Sequence, residues 1–145
     1  MNCYHNTMNK MSLALHLASE WHDGQTDLND NPYILHPLTL AMQFKDKEDL
    51  FCVAMLHDVV EDCGISLKTI CDNFGDKIAE GVDVLTHKKG DRYVDYIANI
   101  KFTPWEVIKL ADLKHNMDVL RYKELNEKDC FRLQKYIYSY KYLNN

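Results

Sequence analysis

The octapeptide "MLHDVVED" at residues 55–62 places four ionisable side chains in an apolar run. On a helix, positions i and i+4 share a face, so His57 should stack with Glu61 and Asp58 with Asp62. His57 and Asp58 are adjacent, roughly 100° apart about the axis, and together could grip something seated against one edge. Glu61 and Asp62 are readable as solvated charges near a helix end. His57 and Asp58 resist that reading, because "FCVAML" before them and Val59-Val60 after them imply burial. A buried carboxylate is normally paired or bound to a metal, since leaving it alone in an apolar setting is expensive.

Two other stretches carry residues of the same kind. "NPYILHPL" (31–38) sets His36 between Leu35 and Pro37 at a helix start, where an imidazole could be aimed inward. Taken alone, such a histidine is more often an ordinary core or surface residue. "VIKLADLKHNMD" (107–118) sets Asp112 in an apolar helix, where Lys109 at i−3 offers a plain ion pair as an explanation. Together, His36, His57, Asp58 and Asp112 make two imidazoles and two carboxylates. That mixed N/O set suits a divalent ion such as Mn²⁺, Fe²⁺ or Zn²⁺. Four protein ligands on an octahedral ion leave positions open for water and substrate, as a catalytic site requires.

Residues so far apart need a frame that gathers them. Five glycines and three prolines in 145 residues make few breakers, and the segments between them have helical periodicity. Leu13, Leu17 and Trp21 mark one face of a helix within 8–21, and "DGQTDLNDNP" (23–32) reads as a loop. Pro37 fits the first turn of a second helix running to about Lys45. "DLFCVAMLHDVVED" from Asp49 is apolar on nearly every side and reads as one central buried helix. Ser66 is the expected cap of a helix over 67–73, and further helices are expected over 77–86 and 92–100. In "TPWE" (103–106), Thr103, Pro104 and Glu106 have the pattern of a capping box opening a helix through "VIKLADLKHNMDVL". Asn126 should cap a last helix. No strand run or internal repeat is visible, so the expected fold is all-α, a single-domain helical bundle over residues 1–145.

Composition narrows the function classes. A net charge of −5 argues against a general nucleic-acid binder, which needs clustered Lys and Arg, but leaves room for a small phosphorylated ligand. Apolar runs fall far short of the ~20 residues a bilayer span needs, and the N-terminus has no signal-peptide layout. Five cysteines without a Cys-x-x-Cys pair point to a reducing, cytoplasmic setting rather than a disulfide or zinc framework.

In order and spacing, "PYILHP", "LHDVVED" and "KLADLKHNMD" resemble the HD-domain superfamily. More narrowly, they resemble the hydrolase domain of the RelA/SpoT alarmone enzymes and their stand-alone small relatives. "H-x-G-Q" at 22–25 and "FG" at 74–75 match as well, and the resemblance runs from about residue 12 to 140. It implies a metal-dependent hydrolase removing 3′-pyrophosphate from (p)ppGpp or a related purine nucleotide, usually with Mn²⁺. By the same resemblance, His36, His57, Asp58 and Asp112 match the metal ligands. Glu61 and Asp62 match a pair credited with orienting and activating water, and Asn116 matches a nucleoside contact. Arg132 and Tyr136 match a pair on the phosphate and ribose side, while His22 and His115 match positions expected to pack or to support the ligands.

One departure stands out. Where the alarmone hydrolases carry a basic pair credited with stacking on guanine and holding a phosphate, this chain has Asp27 and Leu28. An aspartate can do neither. Lys88, Lys89 and Arg92 are candidate replacement cations, equally explained as a solvated loop. The departure keeps open an HD phosphohydrolase acting on another nucleotide, for instance a phosphomonoesterase. A catalytically silent nucleotide-binding module is a third reading, disfavoured because neither a ligand nor the Glu-Asp pair is lost.

Overall fold

The chain is described here by a computed structural model over residues 8–145. Nine α-helices run through these residues: α1 (Lys10–Trp21), α2 (Leu35–Met42), α3 (Glu48–Leu56), α4 (Val59–Cys63), α5 (Leu67–Phe74), α6 (Asp76–Leu85), α7 (Tyr93–Ile100), α8 (Glu106–Asn116) and α9 (Glu127–Asn144). A 3₁₀ turn at Val119–Arg121 links the last two. Among the described residues there is no strand, only an isolated bridge between Thr26 and Pro32, so the all-α expectation holds. No helix among them is long and apolar enough to cross a membrane. Cys52, Cys63, Cys71 and Cys130 are unpaired; Cys3, and part of the N-terminal stretch read for a signal peptide, lie outside the described residues.

α3 is the axis of the assembly. Every residue from Phe51 to Leu56 is buried, because α1, α2, α6 and α8 pack around it. Gly81 of α6 lets that helix come close: a Cβ there would stand 2.7 Å from Val53 Cγ2 and 2.9 Å from the Trp105 ring. α9 lies against α7 and α8, its Leu143 reaching into the core.

Several local signals work as the sequence implies. The Ser66 hydroxyl accepts the Thr69 amide to start α5, and Asn126 and Asp129 form a reciprocal capping box at the head of α9. Other boundaries differ. The expected single helix from Asp49 breaks at His57-Asp58, separating α3 from α4. The Ala54 carbonyl, whose partner in an unbroken helix is the amide of residue 58, here accepts Nδ1 of His57 at 2.7 Å. α4 then ends at Gly64, whose left-handed φ of 67° turns the chain. Thr103 caps nothing: its hydroxyl donates to the Ile100 carbonyl, and α8 begins only at Glu106, whose carboxylate accepts the Phe102 amide. α8 stops at Asn116, short of the expected residue 120, because the Asp118 carboxylate accepts the Leu120 amide and starts the 3₁₀ turn instead.

Candidate metal centre and active-site cavity

The break after α3 decides where its two polar residues point. A carbonyl can only accept, so the His57 Nδ1 that meets Ala54 O carries a proton, and Nε2 is the nitrogen turned to the carboxylates. That Nε2 is buried with no hydrogen-bond partner. It lies 3.0 Å from Asp58 Oδ2 and 3.7 Å from Asp112 Oδ1. His36, delivered from α2, brings its own Nε2 to 3.0 Å from Asp112 Oδ1 and 3.8 Å from Asp58 Oδ2. Two imidazole nitrogens and two carboxylate oxygens, from α2, the α3–α4 break and α8, thus share one centre, and His36, His57 and Asp58 have ligand atoms all within 4.8 Å of one another. An unpartnered, buried imidazole nitrogen facing carboxylate oxygens is the donor set a divalent cation completes.

A surrounding layer holds these four in place. Tyr33 donates to Asp58 Oδ2 at 2.5 Å. His115 stacks on His36, with the two Nδ1 atoms 2.7 Å apart. Asn116 donates to Asp112 Oδ1 at 2.9 Å, so the residue expected to meet the nucleoside also orients a ligand. Lys109 sits 2.8 Å from Asp112 Oδ2, realising the ion pair its spacing allows without removing Asp112 from the cluster. The "H-x-G-Q" loop docks below: His22 Nδ1 meets Gln25 Oε1 at 2.9 Å, and Gln25 Nε2 donates to the Asp62 carbonyl.

The charges follow from these contacts. Burial opposes ionisation of Asp58, but the His57 ring outweighs it and brings the carboxyl down to about 2. Burial likewise opposes ionisation of Asp112, and the Lys109 ammonium with the His36 and His57 rings holds it well below the carboxylate range. His115 is lowered to about 4 by burial, the Arg121 guanidinium and His36. Glu61 and Asp62 behave oppositely: loss of solvation, then the nearby Asp58 charge, raises both. Glu61 does not stack on His57 as an unbroken helix would require; its Oε1 accepts the His87 amide instead. The Glu61 side chain lines the cavity described next.

The centre forms one end of a cavity of about 490 Å³. Its wall includes seven of the nine candidate side chains, Asp58, Glu61, Asp62, Asp112, Asn116, Arg132 and Tyr136, while His36 and His57 lie buried beneath it in the cluster with Asp58. Asp27 and Leu28 line it too. Asp27 is not a loose repulsive charge: its Oδ1 accepts the amides of Asn29 and Asn31, and its Oδ2 lies 3.9 Å from Arg121. Burial opposes its ionisation, but those amides and Arg121 hold its carboxyl below the usual range. Lys88, Lys89 and Arg92 are exposed and do not line the cavity; Lys88 pairs with Asp83. The cations that do line it are Lys109, Arg121, Arg132 and Lys135. Lys135 was findable, since it follows Arg132 by three residues on one helical face, whereas Arg121 lies in an irregular turn with no periodic signal.

Comparison with known proteins bears on this arrangement. A family model described as an HD domain matches residues 14–99, more than half of the chain and including His36, His57 and Asp58. The chain belongs to the HD domain family. Asp112, in α8, lies beyond that span. Among curated relatives, a GTP pyrophosphokinase of Streptomyces coelicolor is 31% identical across 84% of this chain and 16% of its own length. A guanosine-3′,5′-bis(diphosphate) 3′-pyrophosphohydrolase of Borreliella burgdorferi is 29% identical across 88% of this chain and 22% of its own. The chain therefore spans about a fifth or less of these relatives' length. A solved structure described as a metazoan ortholog of SpoT that hydrolyzes ppGpp aligns with a TM-score of 0.77 at 22% identity, covering 92% of this chain and 84% of that one. At that identity the likeness speaks for the fold. The resemblance to RelA/SpoT-type hydrolase domains drawn from the motifs agrees with these comparisons.

Proposed function

We propose that residues 1–145 act as one HD-type, metal-dependent hydrolase domain that releases pyrophosphate from the 3′ position of (p)ppGpp or a related purine nucleotide in the cytoplasm. The observation that carries this reading is the convergence of His36, His57, Asp58 and Asp112 at the floor of a cation-lined cavity. Relatives named as 3′-pyrophosphohydrolases of guanosine-3′,5′-bis(diphosphate) support the choice of substrate class.

His36, His57, Asp58 and Asp112 would hold the cation, with Mn²⁺ the ion the resemblance implies and Fe²⁺ or Zn²⁺ also suited to the donors. When bound, a divalent ion supplies Lewis-acid polarisation of a phosphoryl oxygen and acidification of a water. The chain's own residues do the rest. Glu61, fixed by the His87 amide and open to the cavity, is placed to accept the proton of an attacking water at Oε2. Asp62, on the same short helix, holds that water in line. Asn116, Arg132 and Tyr136 orient the nucleotide, and Lys109 keeps Asp112 ionised.

A second reading, a hydrolase of another phosphorylated nucleotide, is favoured by one observation: Asp27 and Leu28 stand in the cavity wall where a basic pair would serve a guanosine tetraphosphate. Purified protein with Mn²⁺, offered ppGpp, ppApp, NADPH and simple nucleoside mono- and triphosphates, separates the two. Pyrophosphate release from ppGpp or ppApp is expected. Orthophosphate release from the others alone would favour the second reading, and no turnover of any would sink both.

A further inference from the structure

The four cations in the cavity wall are not equivalent. Lys109 is paired with Asp112 at 2.8 Å, Arg121 lies 3.9 Å from Asp27 and donates to the His115 carbonyl, and Arg132 lies 3.9 Å from Asp129. Lys135 has no carboxylate within ion-pair distance among the described residues. Its ammonium stands 4.3 Å from the centroid of the Tyr93 ring and 5.6 Å from that of Tyr136. A ring face attracts an ammonium yet carries no net charge, so the two tyrosines place this cation without neutralising it.

The charges that act most directly on it are positive. Burial, then the nearby Lys109 and Arg132, lowers the Lys135 pKa. In the same wall the Tyr93 hydroxyl is buried with no hydrogen-bond partner. A phosphate would supply the missing charge to the cations. Lys135 touches none of the four clustered ligands, and the cavity is far larger than one phosphoryl group.

We propose that Lys135 is a specificity-determining residue: with Arg132 it binds a second phosphate group of the substrate, distinct from the one attacked at the metal-binding end. Nucleotides phosphorylated at two sugar positions are then preferred over those phosphorylated at one. This rests on the nucleotide-hydrolase reading above and names the part of the ligand that the α9 wall recognises. Tyr93 is a positioning residue, acting through the ammonium it carries.

The test compares wild type, Lys135→Gln and Lys135→Arg with Mn²⁺ on ppGpp and on guanosine carrying the 3′-diphosphate alone. Lys135→Gln should raise KM for ppGpp about tenfold, the size of one charge-assisted contact, and the loss should fall on KM rather than kcat. The singly substituted nucleotide should show little shift in KM, and Lys135→Arg should recover most of the effect. Equal KM shifts on both nucleotides, or a fall in kcat at unchanged KM, would overturn the proposal. Calorimetric binding of ppGpp and of guanosine carrying the 3′-diphosphate alone to wild type and Lys135→Gln separates this inference from the reaction. If wild type hydrolyses neither nucleotide, the hydrolase reading fails, yet a binding preference for ppGpp that Lys135→Gln abolishes would still support the subsite. Unchanged binding in the variant would remove it.

Discussion

The His57 ring donates from Nδ1 to the Ala54 carbonyl at 2.7 Å and turns Nε2 toward Asp58, 3.0 Å away. The helix break therefore does chemical work: it trades one backbone hydrogen bond for an imidazole held in the tautomer and orientation a metal ligand needs.

Removing a ligand should remove the ion and the reaction together. Asp58→Ala deletes the oxygen nearest the His57 imidazole, 3.0 Å from its Nε2. Bound Mn²⁺, measured by elemental analysis after gel filtration, and nucleotide turnover should both fall to background. Full metal occupancy in this variant would exclude Asp58 as a ligand.

The layer behind the ligands should matter by a smaller factor. Tyr33→Phe keeps the ring but loses the 2.5 Å hydrogen bond to Asp58 Oδ2. Metal affinity should drop about 10–100-fold, the range found for outer partners of ligating groups. Competition with a fluorescent chelator measures it directly.

Glu61 sets a pH signature. Loss of solvation, and Asp58 nearby, raises its pKa above the ordinary glutamate value. A base acts only when ionised, so kcat should decline on the acid side at a higher pH than a free glutamate would give. Glu61→Gln should retain metal, lose this limb and slow turnover by about 10²–10⁴-fold. The same shift predicts a stability effect. The native state binds this proton more tightly than the unfolded chain, so its contribution is present at low pH and is lost as pH rises through the raised pKa. Glu61→Gln should therefore be at least as resistant to urea as wild type at neutral pH, and a lower midpoint there would contradict the argument.

Packing around α3 offers a test independent of the chemistry. Gly81→Ala would force a methyl to within 2.7 Å of Val53 Cγ2 and 2.9 Å of the Trp105 ring. Overpacking of this kind costs about 1–3 kcal/mol, enough to lower Tm by several degrees in a domain of this size. Differential scanning calorimetry should show the drop, and an unchanged Tm would mean that α6 shifts freely against Trp105.

Much of this arrangement is legible in the chain. The donors at 36, 57, 58 and 112 stand out because each is a polar residue in an apolar stretch, and burial gives such residues a reason to converge. Ser66 and Asn126 are legible because capping is local chemistry, satisfied within three residues. The break at His57-Asp58 is not legible, since the apolar pattern runs straight across it and the alternative partners, Ala54 O for His57 and Tyr33 for Asp58, are supplied only by the folded surroundings. Thr103 misleads for a related reason: its hydroxyl finds the Ile100 carbonyl before it can serve an amide ahead of it. The Arg121–Asp27 pair joins positions 94 residues apart in two irregular segments, where no periodicity announces a contact.

α9 belongs to two structures at once. Leu143 near its end is anchored in the core, while Arg132, Lys135 and Tyr136 earlier along it face the cavity. A nucleotide that engages those three side chains thereby tethers the whole rod. Its arrival should be audible far from the reacting phosphorus, as slower deuterium uptake along the amides of the last helix.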